Sequence, residues 1–232
     1  ARSFPQAHGV TEAMFGKLFG KKDETPKPRH PGLPSPLQLR PGAAVRLDSI
    51  LSKVLGDGRY LFELPEAGRI LSVESQGEVD LGEGVKLHRF YFDDDWWLQV
   101  KTSGITSGDP EGGVDEIHLF GFGDVLTPSS QAEFETMGAS IGLTTYKYAD
   151  IVYDRIWGQG TQAASADFHE RVFPKDDASY GVRHQDMLYS RNIPASPRAE
   201  FLLVSVETSD ADEVTLVHSV GISLDATDLE IT

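Results

Sequence analysis

The sequence predicts a mainly β protein: antiparallel sheets built as a barrel or a sandwich, with one or two short helices. Three observations carry that prediction. Strand-length runs recur about every ten residues, separated by Gly, Pro, Asp and Glu clusters. Helix signals concentrate in two short segments of the body. The apolar runs, such as "FLLVSV" at 201–206, have the length of strands, and none approaches the roughly 20 residues of a membrane-spanning helix.

Residues 1–36 read as a basic, proline-rich arm. "MFGKLFGKK" (14–22) sets Phe15, Leu18 and Phe19 at i, i+3, i+4 beside Lys17, Lys21 and Lys22, a very short amphipathic pattern interrupted by Gly16 and Gly20. Met14 reads as a natural start behind thirteen extra residues. The preceding "ARSFPQAHGVTEA" lacks the apolar stretch of a signal peptide. Prolines at 26, 28, 31, 34 and 36 then fix φ and remove donors, which predicts an extended linker. The domain boundary falls near Leu37, and residues 37–232 read as one globular domain with room for two subdomains.

Within that domain, "AAVRLD" (43–48) reads as a strand. Asp48 caps a short helix over 49–55, whose Ile50, Leu51, Val54 and Leu55 share a face. The period then changes to two. Strands are expected at 59–64, 69–75, 85–93, 96–102, 115–122, 142–148, 150–157, 185–193, 199–208 and 212–224. "GEVDLGEGVKL" and "ETSDADEVTL" read as hairpins. A second helix is expected over 129–138, with Ser129 or Ser130 as its cap and Glu133 in its first turn.

Charge divides the chain. Residues 1–46 carry 8 Lys and Arg against 3 Asp and Glu, whereas residues 47–232 carry 13 against 33. The acidic body repels phosphate backbones, so nucleic acid is a poor partner for it; the arm suits an anionic membrane, a nucleic acid or an acidic protein, or serves as a solvated tail. There is no cysteine, which removes disulfides, thiolate metal sites and thiol nucleophiles. That composition fits the cytoplasm.

Chemistry is sought first in "FYFDDDWWLQV" (90–100). Asp93, Asp94 and Asp95 offer oxygen ligands for Ca²⁺ or Mg²⁺. Consecutive strand residues point to opposite faces, however, and aspartate favours turns, so the triplet reads as a hairpin tip. Trp96 and Trp97 then cover or line the sheet, or offer a contact surface. "SGDPEGGVDEIH" adds Asp109, Glu111 and Asp115, without the spacing of an EF-hand loop. The two acidic stretches make a metal site only if they converge. His88, His118 and His218 fall in expected strands with no identifiable third ligand. "WGQG" and "GFGD" complete no dinucleotide or phosphate loop, and no Gly-x-Ser-x-Gly elbow is present. No residue is thereby singled out as catalytic, and no cofactor is called for.

The phrases "MFGKLFGKK", "LQLRPGAAVRLD", "GEVDLGEGVKLHRFYFDDDWWLQV" and "TYKYADIVYDRIWG" resemble the YjfK-like family of bacterial proteins, a domain of unknown function. The resemblance covers essentially Met14 to Thr232. It implies a cytoplasmic accessory protein associated with phage-shock-type membrane-stress partners, and it brings no catalytic residues. Two classes of function follow. One is an interaction protein peripheral to the inner membrane, using Phe15, Lys17, Leu18, Phe19, Lys21 and Lys22, with Trp96 and Trp97 as further contacts. The other is a ligand- or metal-binding β domain, or an enzyme, using residues 93–97 and 109–116.

Overall fold

The computed structural model describes residues 33–55, 60–104 and 113–232. The expected arm residues Phe15 to Lys22, and the loop residues Asp109 and Glu111, lie outside the described residues. The strands are β1 (Ala44–Leu47), β2 (Ile70–Gly82), β3 (Val85–Phe92), β4 (Trp96–Ser103), β5 (Gly113–Leu126), β6 (Thr145–Tyr148), β7 (Ile151–Arg155), β8 (Ala166–Pro174), β9 (Tyr180–Asn192), β10 (Ala199–Ser209), β11 (Val214–Leu224) and β12 (Leu229–Ile231). Helix α1 is Leu51–Leu55 and α2 is Gln131–Gly138.

All the ladders are antiparallel. β2, β3, β4 and β5 form a meander, which continues through β11, β10 and β9. β8 pairs with both β9 and β2 and closes an eight-stranded ring. Closure removes the exposed edges that an open sheet would present. Two flaps extend the ring. The start of β2 pairs with β1, which pairs with β12. The end of β9 pairs with β7, which pairs with β6.

Alternation along the strands separates two interiors. On the outer face of the ring, Leu71, Phe90, Leu98, Leu119, Leu202, Val204 and Met187 are fully buried. They pack with Leu39, Leu51, Leu55, Phe62 and Tyr153 from α1, the connecting segments and the β7 flap, in one apolar cluster. The other face points into the ring. Its inward direction follows from β8, where Glu170 and Val172 are buried while Asp167, His169 and Arg171 between them are exposed. Register places Arg89, Gly77 and Val172 on this face, followed by Gln99, His118, Trp97, Phe120, Leu203 and Asp186 around the circuit.

Two glycines are required by close packing in this lumen. A Cβ on Gly77 would stand 1.6 Å from a Glu170 carboxylate oxygen, and one on Gly221 would stand 2.4 Å from the Phe120 ring. Turns follow their local chemistry. Glu83 and Gly84 both take positive φ between Gly82 and Val85, the two-residue hairpin geometry that matches strand twist. β6 and β7 are joined the same way by Ala149 and Asp150, neither of them glycine.

Both expected hairpins and both expected helices are present. Asp48 Oδ1 accepts the Ile50 N–H at 2.8 Å ahead of α1, and Ser130 Oγ accepts from Glu133 N at the start of α2. The strand expected at 59–64 is corrected: residues 60–64 pair with no strand. The Glu200 carboxylate takes the N–H groups of Leu61 and Phe62, the donors that a neighbouring strand would otherwise have used. β8 was not anticipated, because its core-facing positions include a glutamate. The Pro34 carbonyl accepts from the buried Gln76 amide, and Pro36 is buried.

Candidate functional site

The acidic triplet forms the turn between β3 and β4 and is spent on closing it. Asp93 Oδ1 accepts the Ser72 N–H at 2.9 Å, and its own N–H returns to Ser72 O. Asp94 pairs with Arg69 and caps the Asp95 N–H at 2.8 Å. Asp115 lies at the other end of β4, where it accepts from Ser103 Oγ. The eight residues of β4 separate the two regions, about 26 Å at 3.3 Å per residue. Asp93, Asp94 and Asp95 therefore lie at the opposite end of β4 from Asp115. Among the described residues no group of three or more His, Asp and Glu is placed to hold a metal ion.

The two tryptophans divide between the faces. Trp96 is half-buried, donates its indole N–H to Glu63 O at 2.9 Å and lies 5.5 Å from the Arg69 guanidinium. Trp97 is 3% exposed and stacks on Phe120 at 4.5 Å, so its expected role as a surface contact is corrected: it lines the lumen.

Trp97 leads to the most unusual group in the molecule. Arg89 on β3 is buried, with its guanidinium 5.2 Å from the Trp97 ring and 5.3 Å from the Phe168 ring. It donates to Glu170 Oε2 on β8 (3.0 Å), Asp186 Oδ2 on β9 (2.7 Å) and Gln99 Oε1 on β4 (3.2 Å). Tyr91 OH donates to the other Glu170 oxygen at 2.8 Å. His184 on β9 completes the group. Its Nε2 stands 2.9 Å from Glu170 Oε2 but off a good hydrogen-bond line, so that contact is ionic. Its Nδ1 lies 3.2 Å from Ser205 Oγ, 3.5 Å from an Arg89 nitrogen, and 3.8 Å from both Asp186 Oδ1 and Glu207 Oε1.

Burial and charge set the protonation states. Desolvation opposes the charge on Glu170, but Arg89, His184 and Tyr91 outweigh it and hold the carboxyl at about 2. Burial also works against a charged His184; the Glu170 contact, with Glu207 behind it, reverses the balance and raises it despite Arg89. Burial and Glu170 push the Tyr91 hydroxyl well up, so Tyr91 stays a neutral donor. Glu207 is raised, first by burial and then by Asp186 and Glu170, with His184 and Arg89 opposing.

Ser205, His184 and Glu170 line up as hydroxyl, imidazole and carboxylate, the constituents of a nucleophile–base chain. The side chains of His184 and Glu170 are 3% and 0% exposed, and Ser205 is buried. All three side chains are thus closed off from solvent in the lumen. A surface groove does exist outside the ring, between α2 and the start of β8, lined by Phe134, Ile141, Gln162, Ala163 and Asp167. It shares no residue with the ionic group. The three histidines marked in the sequence are packing groups: His88 bonds Thr102 at 3.1 Å, His118 meets Phe201 edge-on, and His218 bonds Tyr146 OH at 2.8 Å. The sequence signal for Arg89, Glu170, His184 and Asp186 was charge at core-phase positions of strands, as in "LHRFYF", "FHERV" and "HQD".

No solved structure matches the chain. Over 226 residues it is 26% identical to the Uncharacterized protein YjfK of Escherichia coli (strain K12), covering 94% of this chain and 98% of that protein. A family model described as "Protein of unknown function (DUF2491)" matches residues 14–230, and the chain belongs to that YjfK-like family.

Proposed function

We propose that the chain is a non-catalytic accessory protein, a rigid β-barrel body that carries a basic arm to an anionic membrane surface on the cytoplasmic side. The observation that carries this reading is the filling of the ring by its own side chains. Arg89 is held between two aromatic rings, and the spaces above Gly77 and Gly221 are taken by Glu170 and Phe120. A barrel packed this way works through its outside. No described helix is long and apolar enough to cross a membrane. The split between a basic residue 1–46 segment and an acidic remainder supports attachment by the arm, with the body held off the surface. The protein partner of the phage-shock, membrane-stress type implied by the family resemblance would then meet the body there.

The test is sedimentation of the full chain with vesicles rich in phosphatidylglycerol, against vesicles of phosphatidylcholine. Each lysine near an anionic surface contributes about 1 kcal/mol. Binding to the anionic vesicles at low salt is expected, with a loss of tenfold or more in K17E/K21E/K22E. Equal binding by both proteins, or none by either, would overturn the reading.

A further inference from the structure

We propose that β8 is a releasable strap, latched to the ring from inside by the Glu170–His184–Arg89 group and held while His184 carries its proton. The inference stands apart from the membrane reading and rests on how β8 is attached. Its ladder to β2 is short, four residue pairs from Ser75↔Pro174 to Glu78↔Arg171. Its ladder to β9 has seven. Its outward side chains Asp167, His169 and Arg171 are exposed. From inside it is held by Phe168, which stacks on His184 at 5.4 Å, and by Glu170, which reaches over Gly77 to β3 and β9.

The latch sets two buried carboxylates around one guanidinium, so it favours a second positive charge between them. Arg89 from β3 supplies one positive charge, against Glu170 from β8 and Asp186 from β9. A protonated His184 supplies the second. The remaining groups that face it are Glu207 and Ser205 from β10, while Tyr91 from β3 and Tyr180 from β9 act on Glu170. Each of these groups either adds negative charge or is neutral, apart from Arg89. When His184 loses its proton, two buried carboxylates share one guanidinium, and an uncompensated buried charge strongly destabilises the group that carries it. The folded-state shifts agree in sign. His184 binds its proton more tightly in the fold than when free, so its contribution is present below the ordinary histidine value and is lost as pH rises through the raised one; Glu207 is raised in the same direction from the ordinary glutamate value. The short β2–β8 ladder is where the ring opens first.

Hydrogen exchange of the full chain, read by mass spectrometry and corrected for the intrinsic rise of exchange with pH, tests this directly. Peptides from 166–174 should lose protection at least tenfold more than peptides from 199–209 as pH rises from near neutral into the alkaline range. Glu207 stands at the mouth of the group with its side chain 27% exposed, so Glu207→Gln should fold. Removing its negative charge lets His184 release its proton earlier and should move the opening to lower pH. His184→Gln should abolish the pH step. Protection of 166–174 that does not change with pH would overturn the proposal. So would protection that falls in parallel with 199–209, or an opening midpoint that Glu207→Gln leaves in place.

Discussion

Without the Arg89 guanidinium, Glu170 and Asp186 would face each other in the lumen with one imidazole between them. Truncating one partner of a buried ion group typically costs about 3–5 kcal/mol, because the remaining charges lose their compensation. Arg89→Met should therefore destabilise by that amount in urea denaturation, or prevent folding. R89M/E170Q/D186N should lose less than the single substitution, since the orphaned charges go with the guanidinium. The opposite expectation holds for the acidic triplet. Asp93→Asn, Asp94→Asn and Asp95→Asn together should shift stability by about 1 kcal/mol or less: the turn bonds can be kept by amide oxygens, and the Asp94–Arg69 pair is partly exposed. Ca²⁺ and Mg²⁺ should leave the melting temperature of the unaltered chain in place, and a saturable rise lost in the asparagine variant would restore these residues as a metal site. The turn role of the triplet was readable because Asp-rich turns act locally. The ionic group was not, since its bonds join residues 81 and 97 positions apart.

Among the elements, the β6–β7 hairpin carries the clearest local conflict. Its two-residue turn puts Ala149 at φ 46° and Asp150 at φ 66°, where an L side chain crowds its own backbone. Ala149→Asn with Asp150→Gly should raise stability by about 1 kcal/mol, and the gain should appear in thermal melts. The Lys147–Asp150 pair lost by the change is largely exposed and contributes little. Glu200 poses the converse case. Its buried carboxylate takes the Leu61 and Phe62 amides, the Tyr153 hydroxyl at 3.0 Å and Arg191 Nε at 2.7 Å. Glu200→Ala should leave the Leu61 and Phe62 amides without their acceptor and release residues 60–64 to proteolysis. The same carboxylate explains why residues 60–64, with their strand-like alternation, form no strand: a side chain from β10 supplies the acceptors. β8 escaped the sequence for a matching reason. Its alternation is intact, but one inward position holds Glu170, whose partners come from β3 and β9. Strands facing apolar neighbours were legible, and elements whose pairing is decided by a distant charge were not.

At the scale of the whole molecule, pH acts on the fold from both sides through different groups. His88 is buried beside Thr102, and desolvation lowers it to about 4, with Glu78 opposing and Lys86 assisting, so the fold holds it neutral. Its contribution is complete above the ordinary histidine value and is lost as pH falls toward 4. Glu170, held at about 2, contributes above the ordinary glutamate value and is lost as pH falls from there toward 2. Those two define an acid limb. The alkaline limb belongs to His184, whose raised value makes the fold a tighter proton binder than the unfolded chain. A formal charge of −15 adds self-repulsion that weakens as carboxylates protonate, which favours the acid side of neutrality until Glu170 titrates. Melting temperature should therefore peak on the acid side of neutrality and fall on both sides of that maximum. Added salt screens the repulsion and should raise the curve most at alkaline pH, where the charge is largest. His88→Gln should flatten the acid limb between the ordinary histidine value and 4 and leave the alkaline limb in place. His184→Gln should flatten the alkaline limb and, because His184 helps hold Glu170 down, change the acid limb only in the range where Glu170 titrates. If His88→Gln instead alters the alkaline limb, or if the unaltered chain is most stable well above neutrality, the assignment of these protons to the barrel interior fails.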